Sequence, residues 1–79
     1  MASLVAITDE DIIAVADDTL SNLKKRKEDE GLDFPLRKDI ILQLSRGWGI
    51  DLDSARKAVI YMETNNDNYL RSNGYQFPA

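Results

Sequence analysis

The sequence predicts a mainly α domain: three helices followed by a short C-terminal β-hairpin, with a small all-α bundle of four helices as the alternative. Three observations lead there. Apolar residues recur at helical spacing in three separate segments. Gly31, Pro35 and Gly47 punctuate those segments. The last segment carries Asn73-Gly74, a dipeptide typical of tight hairpin turns because both residues tolerate positive φ. A chain of 79 residues makes one domain, residues 1–79, with a core too small for a large internal cavity.

The first helix is expected from Asp9 to Lys27 or a little beyond, within a 9–30 supporting unit. Thr8 is a good N-cap, since its hydroxyl can accept from an orphan N–H of the first turn. Ile7 and Ile12 occupy the two positions of a hydrophobic staple. Asp9, Glu10 and Asp11 suit the positive end of the helix dipole, and Lys24 to Lys27 suit the negative end. Ile12, Val15, Ala16, Thr19, Leu20 and Leu23 share one face, which Ile13 widens. Gly31 is expected to terminate the helix.

The second helix is expected to open at Asp33-Phe34-Pro35, with Pro35 in the first helical position, and to end at Gly47. Its buried face reads Leu36, Ile40, Ile41 and Leu44. The third helix is expected from Leu52 to Thr64 with Asp51 as N-cap and Ile50 and Ala55 as a second staple. Ala55, Ala58, Val59 and Met62 lie at i, i+3, i+4 and i+7. Ile60 falls on the opposite side, where it either meets the first helix or makes an exposed contact. Asn65-Asn66-Asp67-Asn68 breaks the pattern. With Asn73-Gly74 as a hairpin loop, Leu70, Tyr75 and Phe77 share one face of the ribbon. The rival reading is a short fourth helix from Asp67 to Asn73 capped by Gly74.

Composition excludes several chemistries. The chain has no cysteine, so it has no disulfide, thiolate zinc site or cysteine nucleophile. It has no histidine, the commonest general base and metal ligand. It carries no Gly-rich phosphate loop, nucleophile elbow or paired metal-ligand motif. Asp51-x-Asp53 and Asp9-Glu10-Asp11 sit at helix starts, where acids serve capping and the dipole. The chain is therefore expected to bind rather than catalyse, with no cofactor and no metal. The apolar run Leu4 to Ile7 is too short for a leader core, and no stretch approaches membrane-spanning length. A cytoplasmic protein without a membrane partner is expected.

The net charge is −4, but the charges are segregated. Residues 9–18 hold Asp9, Glu10, Asp11, Asp17 and Asp18 and no base, whereas the basic residues begin at Lys24. An acidic face and a basic face are expected.

From Phe34 to Phe77 the order of elements resembles a winged helix-turn-helix domain, with the first helix as support. Gly49-Ile50-Asp51-Leu52-Asp53-Ser54-Ala55-Arg56-Lys57-Ala58-Val59 looks like the turn and recognition helix of such regulators, and Ser72-Asn73-Gly74-Tyr75-Gln76-Phe77 looks like a wing tip and return strand. Gly47-Trp48 lengthens the turn relative to that family, and Asp51 and Asp53 put acids where phosphates would lie. The resemblance implies that Ser54, Arg56, Lys57 and Tyr61 face base edges, that Arg71 and Asn73 serve the wing, and that Arg37 and Lys38 position the DNA backbone. Residues 36–75 also resemble ubiquitin-associated three-helix domains, through Leu44, the Gly47-Trp48-Gly49-Ile50 turn, Ala55, Ala58-Val59 and Asn65-Asn66. Arg46-Gly47-Trp48 departs from that family's usual Met-Gly-aromatic turn.

The first expectation is a DNA-binding transcriptional or replication accessory factor using the third helix and the hairpin. The alternative is a protein-protein interaction module, such as a small phage or host regulator or inhibitor that binds one target protein. Ile13, Val15, Trp48 and Ile60 are the candidate protein-interface residues, with a core position for Trp48 as the other reading. A homodimer through the first helix would use Ile13 and Val15 at the edges of its apolar stripe.

Overall fold

The computed structural model describes residues 6–78, so Leu4 and Val5 of the N-terminal apolar run lie outside the described residues. Four helices follow one another: α1 (Asp9–Glu28), α2 (Arg37–Trp48), α3 (Leu52–Asn65) and α4 (Asp67–Ser72). The mainly α expectation holds, and the arrangement is that of the all-α alternative. α3 is the central element, packing against α1, α2 and α4. Its small side chains make this possible. Ala55, Ala58 and Val59 are fully buried, and their slight bulk lets neighbouring helices approach closely. Ile12, Val15, Ala16 and Leu23 from α1, and Ile40, Ile41 and Leu44 from α2, complete the core around them.

The caps of α1 and α3 form as the sequence dictates. Thr8 accepts from the Asp11 N–H at 3.2 Å, and Asp51 accepts from the Ser54 N–H at 2.7 Å. The start of α2 differs from expectation. Its N-cap is Leu36, which offers no side-chain bond, and Pro35 lies in the preceding loop. Its end also differs. Gly47 stays helical, and Gly49, at φ +68°, turns the chain. There the Ile50 N–H reaches back to the Ser45 carbonyl at 3.1 Å, while the Ser45 hydroxyl donates to the Ile50 carbonyl at 2.6 Å.

The C-terminal hairpin does not form; residues 67–72 are helical and residues 75–78 are irregular. The reason lies in the backbone of Asn73-Gly74. A type I′ hairpin turn needs positive φ at both residues. Asn73 has φ −109°, and only Gly74 is left-handed, at +87°. That single positive φ suits a helix stop instead. The Gly74 N–H bonds to the Arg71 carbonyl and the Tyr75 N–H to the Leu70 carbonyl, the two bonds of a Schellman motif. An isolated two-stranded ribbon is marginal in water. The helical solution buries Leu70 completely and brings Tyr75 into the same core. Burial of a leucine-sized side chain contributes about 1.5–3 kcal/mol.

Candidate functional site

The most polar part of the interior is a clasp around Glu63. Glu63 follows Val59 by four residues, so it sits on the buried face of α3. One of its carboxylate oxygens accepts from Arg37 Nε on α2 at 2.7 Å and from the Tyr75 hydroxyl. The bond to Glu63 raises the Arg37 guanidinium above its ordinary value. Burial, with the Glu63 bond behind it, pushes the Tyr75 phenol well up. Tyr75 stands edge-on to Phe77 at 4.9 Å and to Phe34 at 6.0 Å, a geometry that aromatic quadrupoles favour. The clasp thus ties α2, α3 and the C-terminal segment together. Arg37 Nε, Glu63 and the Tyr75 hydroxyl are bonded to one another, which gives the clasp a structural role.

The residues expected to contact DNA divide between interior and surface. Arg37 is spent on Glu63. Ser54 is 4% exposed, with its hydroxyl accepting from the Ile7 N–H at 3.4 Å and its N–H donating to Asp51. Ser54 precedes Ala58 by four residues, which places it on the buried face of α3 rather than outward. Its hydroxyl and N–H hold the Asp51 carboxyl below the usual range. Lys57 pairs with Asp53 at 3.3 Å across one helical turn. Arg71 pairs with Asp67 at 2.7 Å and lies 4.2 Å from the Phe77 ring centre. Asn73 donates to the Tyr69 carbonyl at 2.8 Å, which closes α4. Lys38, Arg56 and Tyr61 are exposed, and neither Lys38 nor Arg56 forms an ion pair among the described residues.

The fold brings three of the expected cations to one place. Arg37, Lys38 and Arg56 line an open cleft of about 470 Å³ between α2, α3 and the C-terminal segment, with Leu36, Ile41 and Phe77 as its apolar part. Glu63, Phe77 and the surface position of Leu36 were not among the sequence-based expectations for a site. A glutamate four residues past Val59, on the buried face of a helix, demands a cationic or hydroxyl partner, and that is the signal in the sequence by which the clasp can be found.

The expected protein-interface residues also divide. Val15 is 2% exposed and belongs to the core, because it faces α3; it is not available to a partner. Ile13 is exposed on the far side of α1. Trp48 is 50% exposed, which removes the core reading; it closes the last turn of α2 and flanks a small cleft with Ala14, Val15 and Ile50. Ile60 is 45% exposed. With Tyr61 and Ile12 it lines a shallow cleft of about 450 Å³ against the start of α1. No group of residues able to hold a metal ion occurs among the described residues, and no helix there is long and apolar enough to cross a membrane.

No protein-family model, curated protein or solved structure matches this chain.

Proposed function

We propose that this chain is a protein-interaction module, acting through its surface on one target protein. The observation that carries this reading is the apolar cleft at Ile60 and Tyr61. Large apolar side chains that share a concave patch, rather than standing singly, favour association. Aromatic anchors such as Tyr61 and Trp48 commonly dominate the energetics of such interfaces. Docking on DNA in the manner of a winged helix draws on fewer groups. Ser54 is inward, Arg37, Lys57 and Arg71 are paired, and residues 67–72 form a helix in place of a wing.

The test has two arms. A photo-crosslinking residue at Tyr61, compared with one at Lys25, is expected to yield a discrete protein adduct in lysate of the native cells. Anisotropy of a fluorescent random duplex at about 50 and about 200 mM salt is expected to show no binding. Steep salt-dependent duplex binding that is lost in Arg56→Ala/Lys57→Ala would overturn the proposal in favour of DNA.

A further inference from the structure

The two charge territories of this molecule fit each other. On α1, Glu10, Ile13, Ala14 and Asp17 lie at i, i+3, i+4 and i+7 and are all exposed. They make a stripe with acids at its ends and apolar side chains in its middle. On the α2–α3 cleft the pattern is inverted in charge. Lys38 and Arg56 are exposed and without an ion-pair partner among the described residues, and exposed Leu36 and half-buried Phe77 supply apolar surface beside them, over the buried Ile41. Among the described residues no carboxylate lines that cleft, although the chain as a whole carries net charge −4. A basic, partly apolar cleft on an acidic molecule selects an acidic partner with an apolar centre, because mismatched charges meeting there are penalised. The α1 stripe has that chemistry.

We infer that the α2–α3 cleft of one copy of this chain docks the Glu10–Asp17 stripe of α1 of a second copy. Lys38 and Arg56 receive the carboxylates, and Ile13 meets the apolar part of the cleft. Two such contacts related by a two-fold axis close the assembly as a dimer. The α2–α3 cleft shares no lining residue with the Ile60–Tyr61 cleft. A nucleic acid would match the cations but not the leucine and phenylalanine beside them.

Sedimentation equilibrium on the full chain at about 0.5 mM, a concentration suited to a weak encounter interface, tests the inference directly. The expected mass is twice the 8.9 kDa of one chain, falling toward one chain as salt screens the contact. Lys38→Glu/Arg56→Glu is expected to be monomeric, and so is Glu10→Lys/Asp17→Lys. An equimolar mixture of the two variants is expected to dimerise again, because both contacts regain opposite charges. All four positions are exposed, so circular dichroism of both variants should match the parent. A monomeric parent would overturn the inference. So would a dimer whose mass ignores both salt and the variants, since association would then use another face. Neither outcome touches the crosslinking at Tyr61, which judges the target-protein reading by itself.

Discussion

Arg37 and Lys38 are neighbours in the chain and opposites in the fold. Arg37 turns in, bonds to buried Glu63 and helps hold Tyr75 beside Phe34 and Phe77. Lys38 turns out, has no ion-pair partner among the described residues, and shares a cleft with Arg56. One helical step of about 100° separates a structural cation from a surface one. The inner region spends Arg37 Nε, the Glu63 carboxylate and the Tyr75 hydroxyl on one another. The outer region has done the reverse. Residue type alone does not assign function in a helical domain; the direction of the side chain does.

The inner region is where substitution should cost most. Leu70→Ala removes a fully buried side chain that pins α4, at a cost of about 2–5 kcal/mol. At about 0.05–0.15 kcal/mol per residue a chain of 79 residues holds about 4–12 kcal/mol, so that loss is a large fraction of its stability. The variant is expected to melt at a markedly lower temperature by circular dichroism. Glu63→Ala strands Arg37 and the Tyr75 hydroxyl without their acceptor. A loss of about 1–3 kcal/mol in urea unfolding is expected, with Glu63→Gln losing less because it keeps an acceptor.

Raising the pH probes the same clasp from its phenol. The Tyr75 phenol is raised in the folded state, so its contribution is fully present below the ordinary tyrosine value of about 10. It is lost progressively as pH rises above that value toward the folded one. Stability measured between about pH 9 and about pH 11, either side of the tyrosine range, should fall more for the parent than for Tyr75→Phe. The smallest effect separates two tyrosines. Tyr69 buries its hydroxyl without a hydrogen-bond partner among the described residues, unlike Tyr75. Tyr69→Phe keeps the ring that Phe34 and Lys24 contact. It is expected to melt at the same temperature or higher, by about 1 kcal/mol or less in stability.

Much of this fold is legible in the residue order. α1 and α3 follow from their apolar periodicity, and their caps follow from Thr8 and Asp51, whose short side chains reach the backbone N–H three residues on. α4 is not legible in the same way. Asn73-Gly74 announces a positive φ, which both a hairpin turn and a Schellman stop can use, and the choice is made by where Leu70 and Tyr75 find a core. The site is less legible again. The sequence marks Arg37, Lys38 and Arg56 as cations, and they do converge, but Glu63 sits 26 positions from Arg37 and neutralises it through a contact only the fold creates. Ser54 and Val15 were readable as inward from their spacing to Ala58 and Ile12, whereas Trp48, four residues past buried Leu44, continues the apolar face of α2 by spacing and is nonetheless exposed where the helix ends.

The division between an inner clasp and an outer surface is tested most directly by urea unfolding of Arg37→Ala beside Lys38→Ala. Arg37→Ala is expected to lose about 1–3 kcal/mol, because the buried Glu63 carboxylate loses its cationic partner. Lys38→Ala is expected to stay within about 0.5 kcal/mol of the parent, as exposed substitutions do. Equal losses from the two neighbours, or a larger loss from Lys38→Ala, would contradict that division.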